Sequence, residues 1–206
     1  MRLIAVFAAL IALSIAPAMA TEEPAYTLVE SHGDIEIRDY PALIVAEVEV
    51  EGDRRAAANR GFSPLADYIF ANGRAGEKIA MTAPVTSSLA DGGAEAAMAA
   101  PVTSEPAGDG RWRVAFIMPK DWSMQTLPAP QSDQVALREI APRRVAVIRF
   151  SGLMGEDRIE DKLRELQDFL REHDHRALSA PTYAAYNPPW IPGPFRRNEI
   201  WIDITA

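Results

Sequence analysis

The stretch Gly-Glu-Lys-Ile-Ala-Met-Thr-Ala-Pro-Val-Thr at residues 76–86 has the composition of a strand in the middle of the chain. Ile79, Met81 and Val85 are apolar and stand among polar or small residues at even spacing, which is typical of a strand with one buried face. Pro84 lacks the backbone N–H that a central strand needs, so we expect a kink or a sheet edge there. The stretch therefore predicts a strand and not a helix.

Two strand patterns and one helical pattern precede this stretch. Residues 35–40 alternate between apolar and polar side chains, and residues 43–50 do the same after a short break, which predicts a two-stranded hairpin. Asp53 can cap a helix, and Ser63 followed by a proline resembles a second helix start. The apolar residues between positions 65 and 70 form one face of this helical segment.

The segments after the opening stretch predict loops, strands and a second helix. They are a solvated loop at 89–110, a strand at 111–119, a proline-containing linker at 121–134, a helix at 155–173 and strands at 183–186 and 198–204. The second helix has the clearest pattern, because apolar residues recur at spacings of four, three and four from Ile159 to Leu170.

The chain also resembles itself at a shift of one hundred residues, which places Arg38 on Arg138. The two repeats span about 35–119 and 135–204, and each has the order strand, strand, helix, strand, strand. Two such ββαββ halves predict an α+β fold in which one curved antiparallel sheet or open barrel packs against two main helices.

The first twenty residues have the layout of a secretory signal peptide. Arg2 supplies a positive start, residues 3–15 form an apolar run, and Ala18-Met19-Ala20 fits the cleavage rule with its two small residues. The apolar run is short for a membrane span, which needs about twenty residues. We expect cleavage to leave one domain at 21–206, periplasmic or secreted and without a stable membrane span, with an uncleaved anchor as the alternative.

Composition excludes several classes of function. The chain has no cysteine, which excludes thiolate catalysis, Cys-based zinc sites, thioether-linked cofactors and a lipid anchor on Cys. The net charge of −8 argues against nucleic-acid binding, which needs a basic surface. No phosphate-binding loop or zinc-hydrolase motif is present, and no Ser or Thr stands in a recognisable arrangement with a His. We therefore predict a protein that is not an enzyme.

Five motifs in a fixed order carry a resemblance to a known family. They are Lys-Ile-Ala-Met-Thr-Ala-Pro-Val at 78–85, Phe-Ile-Met-Pro at 116–119, Arg-Phe-Ser-Gly at 149–152, Tyr-Asn-Pro-Pro-Trp at 186–190 and Arg-Arg-Asn-Glu-Ile-Trp at 196–201. With them the chain resembles the SOUL haem-binding protein family from about Tyr26 to its C-terminus. The resemblance implies a distorted eight-stranded barrel with two helices, related to effector-binding domains of some bacterial regulators. It also implies non-covalent binding of haem or another tetrapyrrole, with no established reaction.

One position departs from part of the family. Some members carry a His directly after the strand that matches Glu36-Ile37-Arg38, and that His is read as an axial haem ligand; this chain has Asp39 there. Other members lack that His and are still described as tetrapyrrole binders through an apolar surface. The resemblance therefore implies a ligand without supplying its axial contact.

Haem binding needs an apolar slot, cations or hydrogen-bond donors for two propionates, and optionally an axial side chain. The candidates for cofactor binding are Lys78, Met81, Arg55, Arg60, Tyr68, Arg196, Arg197 and His32. Arginine suits the propionates because its planar fork can bond both carboxylate oxygens. A structural role stays open for each of these residues, such as an ion pair with Glu199 for the last two arginines and core packing for Met81.

His32 is the best axial candidate among the histidines, and no metal site beyond it is predicted. His173 and His175 lie in a charged run at the end of the second predicted helix, where we expect them to form a solvated cap. The sequence thus predicts an exported monomer that binds haem or a porphyrin between the first helix and the sheet, and that carries or buffers it in the cell envelope. The alternatives are a small-ligand sensor or protein-partner module of the effector-binding type, and a structural envelope protein.

Overall fold

The computed structural model describes residues 21–72, 77–90 and 110–205, which contribute to one nine-stranded antiparallel sheet. The strands are β1 (Thr27–His32), β2 (Ile35–Tyr40), β3 (Leu43–Glu51), β4 (Val85–Leu89), β5 (Arg111–Ile117), β6 (Ala136–Ile140), β7 (Arg143–Ser151), β8 (Thr182–Ala185) and β9 (Arg197–Ile204), and the helices are α1 (Arg54–Ile69), α2 (Glu156–Glu172) and a 3-10 turn at Gly193–Phe195. The predicted signal peptide at 1–20 and most of the predicted loop at 89–110 lie outside the described residues.

The strands follow the order β1-β2-β7-β9-β8-β4-β5-β3-β6. In this order β2 pairs with β7 and β3 pairs with β6, so the predicted hairpin between β2 and β3 is wrong. The two residues between these strands are Pro41 and Ala42, and proline cannot take the positive φ that a two-residue hairpin turn requires. Instead β2 forms its hairpin with β1, across a turn in which Gly33 has φ 64°.

The sheet is open, with β1 and β6 as its edges in the described part of the chain. The α+β prediction of one curved antiparallel sheet with two helices is confirmed; the sheet is not a closed barrel, and it has nine strands and not eight. The ninth strand is β1, whose residues are all exposed and which the sequence presents only as a polar segment with an apolar tail. Leaving β1 aside, the elements run strand, strand, helix, strand, strand twice.

The opening stretch is a strand only in its last part. β4 begins at Val85, and the residues from 77 to 81 have no regular secondary structure. Ile79 is 1% exposed and Met81 is 36% exposed, so the two do not share a buried face as predicted. The reason is that the backbone N–H of Ile79 donates to the carbonyl of Ile69 at 2.8 Å, which ties this segment to α1 and not to a neighbouring strand.

Helix α1 is continuous, so the predicted second start at Ser63 is wrong. Asp53 caps the helix as predicted, because its carboxylate accepts from the backbone N–H of Ala56 at 2.8 Å. Pro64 lies inside the helix and removes one backbone hydrogen bond. Burial of neighbouring residues, such as Leu65 at 0% exposure, compensates for that loss. Gly61 lets α1 approach β5 closely, since a Cβ there would lie 2.7 Å from Val114.

Helix α2 agrees with its prediction in both length and face. Its apolar residues from Ile159 to Leu170 are buried against β2, β7 and β9 in one core cluster. A second cluster lies between α1 and strands β3 and β5. Both helices therefore cover the same face of the sheet, and no helix among the described residues is long and apolar enough to cross a membrane.

The other side of the sheet, here called the helix-free face, has its own core. Tyr40, Val145 and Trp201 from one half of the strand order pack with Val45 and Ile117 from the other half. One cleft on this face is lined by β3 and β6 at one end of the strand order and by β7 and β9 from the other half, so the sheet curves and the two halves of the helix-free face approach each other.

Candidate functional site

A cavity of about 490 Å³ lies between α1 and the linker that precedes β6. We call it the helix cavity. Its helical wall includes Ser63, Pro64 and Tyr68, and its opposite wall includes Gln134 and Val135. Its volume falls within the range of roughly 300–1,000 Å³ that is usual for small-molecule sites.

Tyr68 fixes the two walls of the helix cavity relative to each other. Its side chain is 5% exposed, and its hydroxyl donates to the carbonyl of Pro128 at 2.9 Å. Asp67, the charged residue of the lining, accepts from the side chain of Asn72 at 2.7 Å. The walls therefore offer one ring, apolar carbon and amide or hydroxyl groups. They include no cation, His or Met among the described residues.

Three predicted site residues lie in or shortly after the last turn of α1, and of these only Tyr68 belongs to the lining of the helix cavity. Tyr68 lines it directly. Lys78 and Met81 stand on either side of Ile79, which is hydrogen-bonded to the last residue of the helix. Both side chains are exposed. Among the predicted cations, Lys78 is the one closest in sequence to Ile79.

The two arginines predicted on α1 lie in its first half. Arg60 donates to the carbonyl of Glu51 at 2.9 Å, which directs its guanidinium back toward the end of β3. Arg55 is exposed one turn earlier. Neither residue lines the helix cavity, and their roles in propionate binding stay predictions.

The last two predicted arginines belong to structural contacts. Arg196 donates to the carbonyls of Ile191 and Pro189 and so braces the proline-rich loop before β9. Arg197 donates to Glu199 at 2.7 Å and to Glu23 at 2.9 Å. These partners occupy the planar fork that propionate binding would require.

His32 lies at α2 and not at the helix cavity. Its ring centroid is 5.1 Å from that of Phe169 and 5.2 Å from that of His173, while Glu30 is 3.2 Å from its Nε2. His173 caps α2 through its backbone and its ring, as expected. In the described segments no three His, Asp or Glu side chains form a group that could hold a metal ion. The axial role of His32 remains a prediction.

A polar cluster centred on Glu199 lies on the helix-free face, and the sequence did not reveal it. The Glu199 carboxylate accepts from Arg38 at 3.0 and 3.2 Å, from Arg197 at 2.7 and 3.1 Å, from the Tyr186 hydroxyl at 2.6 Å and from the Trp201 indole at 2.7 Å. Glu199 is 0% and Arg38 is 1% exposed. The carboxylate is therefore fully hydrogen-bonded without water.

The same contacts keep this buried pair ionised. Burial alone would raise the pKa of Glu199, but the hydrogen bond and charge of Arg38 outweigh it and hold the pKa below its usual 4.5. Burial alone would lower the pKa of Arg38, yet Glu199 raises it. Burial raises the pKa of Tyr40, which also contacts Arg38, to about 12. Groups with such pKa values do not exchange protons near neutral pH, so the cluster is suited to a structural role and not to acid–base chemistry.

Sequence reasoning missed both this cluster and the second wall of the helix cavity. A signal for the cluster does exist, because residues 197, 199 and 201 place three polar groups at alternate positions of one strand, between buried residues. The cavity wall has no such signal. Gln134 and Val135 lie in an irregular linker, and only the tertiary fold brings that linker against α1.

The chain is similar in sequence to known proteins over most of its length. A family model described as SOUL heme-binding protein matches residues 21–203. Heme-binding protein 2 of Homo sapiens is 29% identical over 194 residues, which cover 91% of this chain and 88% of the human protein.

Solved structures share the fold at low identity. The EcmrR C-terminal domain has a TM-score of 0.58 at 10% identity, covering 88% of this chain and 98% of that domain. A Listeria innocua protein named as a hydrolase has a TM-score of 0.53 at 10% identity, covering 84% of this chain and 92% of its own. At such identities these two likenesses concern the fold alone.

Proposed function

This chain belongs to the SOUL haem-binding protein family, and on that premise we propose that it binds haem or another tetrapyrrole non-covalently in the helix cavity. The observation that carries the proposal is the cavity itself. At about 490 Å³ it is large enough for a small-molecule ligand, and it lies between α1 and the linker before β6, whereas the predicted location between the first helix and the sheet is filled by core residues.

The lining fits the macrocycle better than it fits the iron. Pro64, Tyr68 and Val135 offer apolar carbon and one ring to a flat ligand. The amide side chains nearby can donate hydrogen bonds to propionates. No described lining residue is a His or Met, and Asp67 is unfavourable next to a second carboxylate. Binding in this mode depends on the porphyrin surface and not on iron ligation.

Apolar burial supplies most of the affinity in this mode. At about 25 cal/mol per Å², removing a few hundred Å² of macrocycle from water contributes several kcal/mol. Association costs reduce that gain, which leaves binding in the micromolar range or tighter. Without cysteine the chain cannot form a thioether bond to the cofactor.

The biological role that we propose is carriage or buffering of the tetrapyrrole in the cell envelope, by a monomer and without catalysis. The signal-like pattern of residues 1–20 supports export. The family membership supports a binding protein in preference to an enzyme. Absence of a reaction stays a prediction, because two structural neighbours carry the name hydrolase.

Absorption titration of the purified full chain tests the binding proposal. We expect a saturable Soret shift with haem at micromolar concentration, and iron-free protoporphyrin IX binding with an affinity within about threefold, since the lining contains no iron ligand. Ser63→Trp places a bulky side chain in the cavity and should weaken binding about tenfold or more, because it displaces ligand surface from burial.

Asn59→Trp is the matched control, since Asn59 is exposed on the same helix but does not line the cavity. It should leave the affinity within about twofold. A haem titration without saturation would defeat the proposal. Strong haem binding with no binding of the iron-free porphyrin would show that iron ligation dominates, and a spectrum altered by His32→Ala would identify the ligand.

A second candidate function is the small-ligand sensor. A specific observation favours it, namely a smaller cleft of about 160 Å³ on the helix-free face, away from α1. The likeness to the EcmrR C-terminal domain concerns the fold only and does not choose between the two functions.

A further inference from the structure

The cleft on the helix-free face, here called the sheet cleft, lies where the two halves of the curved sheet approach each other. Its floor is apolar and includes Val45, Ile117 and Trp201 from the core cluster of that face. Its volume of about 160 Å³ is well below the range of roughly 300–1,000 Å³ for drug-sized ligands. The space therefore suits only a small molecule with an apolar body.

The charged lining residues give the sheet cleft a positive balance. Arg113, Arg138 and Arg143 contribute three positive charges, while Glu47 and Asp203 contribute two negative charges, so the sum is +1. The whole chain carries −8. A locally positive cleft in an acidic protein favours an anionic ligand, because charges act more strongly where the walls exclude water.

Arg143 has guanidinium donors that its ion pair with Asp203 does not use. It contacts Asp203 through Nη1 alone, at 2.9 and 3.0 Å. Its Nε is buried and has no hydrogen-bond partner. The Nε of Arg113 is also buried without a hydrogen bond. The distance from this Nε to Oε1 of Glu47 is 3.4 Å. Nη2 of Arg143 also makes no hydrogen bond in the described part of the chain, and the side chain is 23% exposed, so this donor and not the buried Nε is within reach of a ligand.

Arg144, the next residue on β7, shows the contrasting arrangement. Its Nε and Nη2 donate to the two oxygens of Asp39 at 2.7 and 2.8 Å. That side-on geometry saturates the edge of the guanidinium that best matches a carboxylate. In Arg143 the Asp203 carboxylate binds Nη1 alone, which leaves Nη2 without a partner in the described part of the chain, while Nε is buried and out of a ligand's reach.

We propose that the sheet cleft binds a small organic monocarboxylate, with its apolar body on the floor and its carboxylate on Nη2 of Arg143. This site is separate from the helix cavity and does not depend on tetrapyrrole binding. Benzoate is a suitable probe, because it combines a flat apolar body with one carboxylate. Benzamide has nearly the same shape without the charge.

Calorimetric titration of the full chain with both probes tests the site. We expect saturable binding of benzoate and about tenfold or weaker binding of benzamide, since hydrogen bonds to a charged group are the stronger ones. Arg143→Gln should weaken benzoate about tenfold or more. Arg144→Gln, which removes a similar Arg–Asp pair outside the cleft, should leave the benzoate affinity within about twofold.

A second measurement keeps the test decisive if Arg143→Gln fails to fold. In the wild-type protein, benzoate should shift the indole N–H resonance of Trp201 on the cleft floor and not that of Trp190, which is 78% exposed. Absence of saturable benzoate binding would overturn the proposal. Equal affinity for benzamide, or equal weakening by Arg144→Gln, would overturn it as well.

Haem separates this proposal from the function proposed above. Saturating the protein with haem should leave benzoate affinity within about twofold, because the helix cavity and the sheet cleft share no lining residue. If haem fails to bind and benzoate binds as described, the tetrapyrrole proposal falls and this one stands. If benzoate fails while haem binds, the reverse holds.

Discussion

Arg38 and Arg138 occupy equivalent positions in the two halves of the molecule, yet their surroundings are opposite. Arg38 stands opposite Val145 in the β2–β7 pair, and Arg138 stands opposite Val45 in the β3–β6 pair. Each arginine binds a glutamate. The side chains of Arg38 and Glu199 are 2% and 0% exposed, whereas those of Arg138 and Glu47 are 46% and 11% exposed.

The difference comes from what covers each strand. β2 is covered on its outer side by β1, and Tyr26 places its ring 4.4 Å from the Arg38 guanidinium. β6 is the edge of the sheet. One extra strand therefore converts an arginine–glutamate pair into a sealed structural contact, while its counterpart stays on the rim of a cleft. Repetition of a residue does not imply repetition of its role.

Removal of Glu199 should have the largest effect on stability. Glu199→Ala leaves Arg38 buried without its main partner, which costs about 3–5 kcal/mol of the free energy of unfolding. Urea denaturation followed by circular dichroism measures this. Glu47→Ala is the matched control in the other half, where solvent reaches Arg138, and it should cost no more than about 1 kcal/mol. Equal losses would show that the two pairs are equivalent after all.

The two helices also differ in how they contact the sheet. Helix α1 approaches its strands closely at Gly61, whereas α2 contains no glycine, and Gly61→Ala tests this difference. A Cβ at position 61 would lie 2.7 Å from Val114 and 3.0 Å from Val48, so α1 must move away from its strands. We expect a loss of about 1–3 kcal/mol from overpacking. Thermal denaturation of Asn59→Ala, an exposed position on the same helix, supplies the comparison and should differ from wild type by less than about 0.5 kcal/mol.

Acid pH should reduce the contribution of the Arg38–Glu199 pair to the free energy of unfolding. We expect this effect to be smaller than those of the two substitutions above. The folded-state pKa of Glu199 lies below its usual 4.5, so the stability that this carboxylate contributes is present above pH 4.5 and is lost as pH falls below it. Free energies of unfolding measured between pH 7 and pH 3 should fall more steeply in wild type than in Glu199→Gln. Identical slopes for the two proteins would contradict the lowered pKa.

The smallest effect is expected at the open pair. Arg138→Ala should change the free energy of unfolding by less than about 1 kcal/mol, because an exposed arginine gains little from its partner. This difference should shrink further in 1 M salt, where the screening length is about 3 Å. A loss above 2 kcal/mol that persists in high salt would mean that the rim of the sheet cleft is as sealed as the Glu199 cluster.

Local pattern was sufficient for most elements of the fold. The periodicity of α2, the cap at Asp53 and the alternation in β5 depend on neighbouring residues, and all three predictions are confirmed. Strand pairing was less accessible, since it depends on partners distant in sequence. The failed hairpin between β2 and β3 illustrates this, although Pro41 already contained the reason.

The candidate site was harder to predict than the fold. Residue type indicated cations and axial ligands, but Arg196 and Arg197 turn out to be engaged in structural contacts, and His32 lies at the other helix. Tyr68 was found because it stands on the apolar face of α1. Of the Glu199 cluster only the ion pair with Arg197 was anticipated, because the partners Arg38 and Tyr186 are distant in sequence and only the tertiary fold brings them to the carboxylate.

The stretch at 76–86 shows the separate contributions of sequence and tertiary structure. By itself the sequence determined the family signature, two helices, an antiparallel sheet and the absence of thiol chemistry, because these follow from local period, motif and composition. The tertiary structure decided that Ile79 anchors to α1 while Met81 stays exposed, which arginine is sealed, and where the two cavities lie. Those outcomes depend on the curvature of the sheet and on the strand that covers each edge, which arise only when distant segments pack together.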